Sequence, residues 1–134
     1  MKKLFTGTAA ALGALAAVSA FGGWVYEGQW GSEGSGDGQF NQPEGLGVAP
    51  NRDVYIADSN NHRVQYFSAS GSFRGKWGTY GTRNGQFNEP SGVGVADNGT
   101  VYVTDMNNDR VQYFRWSDPR VAPTSLGRVK ALFR

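Results

Sequence analysis

The chain has 134 residues, among them 20 glycines, one histidine and no cysteine, which excludes disulfide staples, thiolate metal sites and, within one chain, a three-histidine zinc centre. Its formal charge of +2 is supplied by Lys2 and Lys3, so residues 21–134 are neutral overall and carry no global field to steer a polyanion. Those 114 residues suffice for one small domain with little margin in its core.

Lys2 and Lys3 precede an apolar, small-residue stretch from Leu4 to Val18 that ends in Val18-Ser19-Ala20. That is the pattern of a secretory signal peptide over 1–20, with a small-residue cleavage site before Phe21. Thr6, Gly7, Thr8 and Gly13 dilute a stretch already shorter than the roughly 20 residues a membrane span needs, so no stable span is expected after cleavage. The expected destination is the periplasm or the cell exterior.

The next element is Tyr26-Glu27-Gly28-Gln29-Trp30-Gly31, a short strand followed by a connection rich in Gly, Ser, Asn and Gln up to Pro43. Leu46 to Val48, Val54 to Ala57, Val64 to Phe67 and Ser72 to Trp77 then alternate at a period of two and are rich in β-branched and aromatic residues. Pro50 to Asp53, Asp58 to His62 and Ser68 to Gly71 separate them as short turns, which join sequential antiparallel strands into a meander. We label these strands a, b, c and d. A second set supplies a (Val93 to Ala96), b (Val101 to Thr104) and c (Val111 to Arg115), with an Asn98-Gly99 turn between a and b and no following d.

The run Gly38 to Phe67 returns as Gly85 to Phe114 with 20 of 30 positions identical at a constant offset of 47 residues. Tyr26 to Gly31 aligns at that offset with Phe73 to Gly78, so the order is d, a-b-c-d, a-b-c. A repeat of this length is one supersecondary unit that must stack on a neighbour to bury its apolar face. The expected fold is all-β: two four-stranded antiparallel propeller-type blades over 21–115, the half or fragment of a β-propeller. Two blades do not close a ring: the unit stays open with exposed edges, or is a fragment, or identical chains associate, with Trp24 to Gly31 of one completing the last blade of the next. Such homo-oligomerisation removes unpaired strand edges, and three copies, a trimer, give six blades about a cyclic axis.

The pattern G-x-F-x-x-P-x-G, a short apolar strand, V-Y-[IV]-[AT]-D and N-x-R-V-Q-Y-F, present twice, resembles the NHL repeat. The resemblance implies a β-propeller, commonly of about six blades, that serves as a platform for protein, carbohydrate or nucleic-acid partners. The chain departs from that family in copy number, with two repeats.

Several residues carry candidate chemistry. Asp58, Asn60 and Arg63 recur as Asp105, Asn107 and Arg110 at the ends of the b–c turn. They are read either as ligand contacts or as a structural set in which Arg pairs with the carboxylate. Recurrence favours structure, since a catalytic residue is needed only once. The b–c turns and d–a connections fall at one end of every blade, and that end is the expected binding face, flanked by Trp30 and Trp77 as aromatic anchors or inter-blade packing. Phe40 and Phe87, each followed three residues later by Pro43 or Pro90, are expected to wedge the d–a connection against its blade. Gly45, with Gly47, and Gly92, with Gly94, are expected where blades crowd together, since glycine permits close backbone approach. His62, replaced by Asp109 in the second repeat, is expected on an exposed turn.

No catalytic residue, metal site or cofactor is assigned. The acidic repeats disfavour nucleic acid, because 21–114 hold 6 Lys plus Arg against 10 Asp plus Glu. Residues 116–134 read as a basic tail, expected to be extended through Pro119 and Pro123, with a short amphipathic helix expected after them because Leu126, Val129 and Phe133 recur at helical spacing. The reading is a secreted, non-enzymatic binding or scaffold protein for protein or carbohydrate partners. Its alternatives are an exported propeller hydrolase or lyase whose site forms in an oligomer channel, and a truncated relic of a longer propeller.

Overall fold

The computed structural model describes residues 22–121. The leader expected over 1–20 and the amphipathic helix expected after Thr124 lie outside them. The chain divides into a segment ending at Trp30 and a body beginning at Gly31. Residues 22–30 form no strand or helix of their own.

In the body, the alternating segments form ladders. The first sheet has the order β1 (Pro43–Val48), β2 (Val54–Asp58), β3 (Arg63–Phe67), β4 (Phe73–Trp77), and the second has β5 (Pro90–Val95), β6 (Val101–Asp105), β7 (Arg110–Phe114). All pairs are antiparallel neighbours in sequence, as two-strand meanders with short turns must be. The first and fifth strands begin at the prolines, three residues ahead of the segments read from periodicity, each with a register shift just after. Gln42 and Glu89, immediately before those prolines, take φ of 50° and 52° and turn the chain into the sheet. One 3-10 turn, Ser59–Asn61, links β2 to β3, and Met106–Asn108 repeats it between β6 and β7. Each is closed by a residue in the left-handed region, His62 or Asp109.

The core lies between the two sheets. Val64 on β3 meets Phe87, Val101 and Val103 of the second repeat, with Tyr55, Trp77, Val93, Val95 and Phe114 packed around them. Burying an aliphatic side chain here is worth about 1.5–3 kcal/mol, and the sheets meet face to face because neither has another partner for that surface. Close approach is set by β1. A β-carbon on Gly47 would stand 2.8 Å from the carbonyl oxygen of Val93, and one on Gly45 would collide with the carbonyl of Ser91. The glycines expected at a crowded inter-blade contact therefore sit at one. Their counterparts on β5 differ: Gly92 faces the Thr104 hydroxyl, and Gly94 faces open space.

Repetition of sequence thus does not give repetition of environment. Val64 is fully buried, whereas Val111, the same repeat position, is 57% exposed. Conversely Leu46 and Val48 are exposed on the first sheet, while Val93 and Val95 pack on the core. Each sheet buries the face it turns toward the other; the opposite face is uncovered at Leu46 and Val48 on the first sheet and at Tyr102, Val111 and Tyr113 on the second, while Asp58, Gln65 and Phe67 on the first sheet's opposite face are buried.

Candidate functional site

The repeated polar motif forms the same cluster twice. β2 ends at Asp58 and β3 begins at Arg63, directly opposite in the ladder. Asp58 is fully buried. Its Oδ2 accepts hydrogen bonds from Arg63 Nε at 2.7 Å, Asn61 Nδ2 at 2.9 Å and Gln65 Nε2 at 3.2 Å, and its Oδ1 accepts the Asn41 amide at 2.8 Å. Arg63 then reaches away from the carboxylate: Nη1 donates to Ser35 O at 2.8 Å, and Nη2 donates to Gly36 O and Gln39 O, both at 2.9 Å. Gln65 adds a donation to Gln39 O at 2.6 Å and accepts the Gly38 amide at 2.9 Å. A planar guanidinium is suited to this because its donors are fixed in a fork that spans several carbonyls at once.

The cluster around Asp105, Asn108, Arg110 and Gln112 has the same bonds to the Thr82, Arg83 and Gln86 carbonyls and the Gly85 amide. Burial alone would raise the Asp105 carboxyl, but donation by the Asn88 amide, Asn108 and Arg110 overcomes it and holds the group below the ordinary aspartate range. Chemically the two clusters clamp the d–a connection to its blade. An anionic ligand would have to displace at least four bonds from Arg63 to reach it.

Two members of this cluster escape the motif as read from sequence. The asparagine that joins the carboxylate is Asn61, or Asn108, one residue beyond Asn60 and Asn107. Those two face outward to the asparagines of the connection, Asn41 and Asn88, through side-chain contacts of 3.4 Å. Gln65 and Gln112 were legible only as alternate positions of a strand. Their identity in both repeats was the available signal, since an invariant Gln in a buried strand needs polar partners.

His62 is half-buried. Its Nδ1 accepts the amide of Glu89 at 3.1 Å and its ring lies 4.9 Å from that of Tyr80, so it ties the turn of the first sheet to the connection entering the second. Trp77 ends β4 between the sheets, 5.3 Å from the Phe114 ring and about 6 Å from those of Tyr55 and Tyr66. Trp30 falls in the N-terminal segment. Phe87 is fully buried and Phe40 partly so, the latter with its ring 5.6 Å from Phe67. Pro43 is exposed and Pro90 buried, as their sheets' opposite situations require.

A cleft of about 380 Å³ opens between the sheets, lined by Tyr55, Tyr66, Trp77, Phe114, Trp116 and Lys76. The Trp77 Nε1 is buried without a hydrogen-bond partner. Burial, with the charge of Asp53 added, raises the Tyr55 phenol above its usual range, so it stands as a neutral hydroxyl. At the turn end, a shallower hollow of about 650 Å³ is lined by His62, Arg63, Trp77 and Tyr80. Lys76 borders both and pairs with Asp37 at 2.6 Å. Among the described residues no group of three or more His, Asp or Glu side chains is placed to hold a metal ion, and no helix is long and apolar enough to cross a membrane.

The NHL repeat family matches the chain at residues 40–67 and again at 87–114, the two blades from wedge phenylalanine to the end of the third strand. The chain is 40% identical over 50 residues to Protein brain tumor of Drosophila melanogaster, a stretch that covers 37% of this chain and 5% of that protein. It is 40% identical over 50 residues to the B-box type zinc finger protein ncl-1 of Caenorhabditis elegans, covering 37% of this chain and 6% of that one. With Protein lin-41 of Caenorhabditis elegans it shares 46% identity over 44 residues, 33% of this chain and 4% of the relative. The likeness is thus confined to a small part of each relative.

Proposed function

We propose that this chain, which carries two NHL repeats, is an exported binding and scaffold protein that takes up an extended protein segment between its blades and completes itself by association with further copies. The observation that carries the binding reading is the cleft. Its aromatic walls suit an apolar side chain, and Arg115 and Lys76 at the rim, the latter already paired with Asp37, suit a carboxylate. The acid–base pairs that an enzyme reading would need are instead bonded into the clamps around Asp58 and Asp105. Export rests on the leader pattern of residues 1–20, and self-association on the uncovered faces of both sheets.

Binding is tested by titrating the chain against arrayed peptides and oligosaccharides, following the change in tryptophan fluorescence. Peptides rich in apolar and acidic residues are expected to bind, and Trp116→Ala with Lys76→Ala is expected to weaken them at least tenfold. Binding of oligosaccharides alone would replace the protein partner with a carbohydrate one, and binding untouched by either substitution would remove the cleft from the account. Export is tested by cell fractionation with N-terminal sequencing of the mature chain, which should begin at Phe21. Three copies, giving six blades, are expected from light scattering.

A further inference from the structure

Among the described residues the first sheet has a fourth strand and the second does not. Among the described residues β7 pairs only with β6, so the edge that on β3 is occupied by β4 is left with unpaired amides and carbonyls. An uncovered edge of this kind is a template for another chain. We propose that this edge takes residues 26–30 of a second copy of the chain as the missing strand. The proposal rests on the self-association reading above and gives it a register.

The register follows from the first sheet. There Val64 faces Trp77, Gln65 faces Lys76, Tyr66 faces Gly75 and Phe67 faces Phe73. Moved by one repeat, Val111 would face Trp30, Gln112 would face Gln29, Tyr113 would face Gly28 and Phe114 would face Tyr26 of the other copy. The incoming segment, Tyr-Glu-Gly-Gln-Trp-Gly, keeps the aromatic, glycine, tryptophan and glycine positions of β4, Phe-Arg-Gly-Lys-Trp-Gly.

The glycine is the discriminating feature. A β-carbon on Gly75 would stand 2.6 Å from the Tyr66 ring, which lies over that backbone and stacks on Tyr55 with centroids 5.1 Å apart. Tyr113 and Tyr102 make the corresponding pair on the second sheet, 5.8 Å apart, with Tyr113 70% exposed. The seat for a glycine-bearing strand is therefore built and uncovered, and Gly28 is the residue that matches it.

A second observation comes from the exit of the strand. Gly78, after β4, has φ of 106°, and Gly31, after the segment, has φ of 104°. Both would press a β-carbon into a phenylalanine wedge, Phe87 and Phe40 respectively. The chain thus leaves residues 26–30 by the same turn with which it leaves β4. Since β4 belongs to the sheet before the one its connection enters, residues 26–30 belong by the same repeat to a sheet ahead of the first.

The faces agree with this edge. Leu46 and Val48 are uncovered on the first sheet, and Tyr102, Val111 and Tyr113 on the second. These are the repeat positions of the residues that meet between the two sheets within one chain, so one copy's second sheet fits the next copy's first as its own sheets fit each other. Gly94, which faces open space, is the counterpart of Gly47 in that contact.

The test is light scattering coupled to size exclusion on the full chain, Gly28→Val, Tyr113→Ala and the double variant, with a synthetic peptide of residues 22–31 as competitor. The chain is expected to assemble, the peptide in excess to dissociate it, and Gly28→Val to weaken assembly at least tenfold. The Gly28→Val loss should shrink in the Tyr113→Ala background, because the added side chain then meets no ring. Assembly indifferent to the peptide and to Gly28→Val would overturn strand addition while leaving self-association standing. A chain monomeric at every concentration would overturn self-association. In that case binding of the labelled peptide to the monomer, read by fluorescence anisotropy and lost on Tyr113→Asp, would support the edge site, and absence of binding would overturn it too.

Discussion

The α-carbon of Gly47 lies so near the main chain of Val93 that an added β-carbon would stand 2.8 Å from the Val93 carbonyl oxygen. Backbone cannot yield as a side-chain tip does, so Gly47→Ala should push the two sheets apart and destabilise the chain by about 1–3 kcal/mol. Gly94→Ala, at the same repeat position with open space before it, should leave the unfolding midpoint of the dilute chain unchanged. Urea titration of the two variants side by side checks this, and equal losses would mean that the glycines matter for turn or strand propensity and not for the contact.

Arg63 bridges a buried carboxylate and three carbonyls of the connection. Arg63→Lys keeps the charge but supplies one ammonium where a fork is needed, and should destabilise by about 2 kcal/mol. Asp58→Ala should cost more, about 3–5 kcal/mol, because it strands a guanidinium that is itself almost buried. Limited proteolysis should then cut first within residues 31–42, the connection the clamp holds.

The depressed carboxyl of Asp105 makes stability depend on acidity in a stated direction. A folded-state pKa below the ordinary aspartate value of 3.8 means that the unfolded chain binds the proton more readily. The stabilisation is complete well above that value and drains away as pH falls through it toward the folded-state pKa. Asp105→Asn, which cannot ionise, should therefore be less stable than the parent at pH 7, with the gap narrowing toward pH 3. Denaturant midpoints at the two pH values measure the gap, and a constant difference would assign the loss to packing.

Arg52 occupies the turn between β1 and β2 with φ of 75°, where the second repeat has Gly99 at φ of 84°. The left-handed region costs a residue with a β-carbon about 1–2 kcal/mol, offset in part by the greater freedom that glycine has when unfolded. Arg52→Gly should raise stability by about 0.5–1 kcal/mol and Gly99→Ala should lower it by a similar amount, both read as shifts in thermal midpoint.

Much of this architecture is written locally. The period of two in Val54 to Ala57, the Asn98-Gly99 turn and the paired Phe-x-x-Pro wedges fix strands, turns and their antiparallel order, because backbone sterics and alternation act over a few residues. The candidate site was less legible. Asn61, not Asn60, reaches Asp58 because the 3-10 turn carries it back over the carboxylate, and a side chain's direction in such a turn is invisible to spacing along the chain. The binding of Gln65 to Gln39, across 26 residues, depends on how the connection folds over the sheet.

The sequence by itself determined that this is a two-unit NHL-type chain of short antiparallel strands, since a repeat is a property of the letters. Only the tertiary structure decided that Val64 is buried and Val111 exposed, that Gly47 is crowded and Gly94 free, and that among the described residues one sheet has four strands and the other three. The physical reason is that burial belongs to a pair of surfaces. Two similar units in tandem share one contact between them, and that contact consumes opposite faces, leaving each unit with the face the other has hidden.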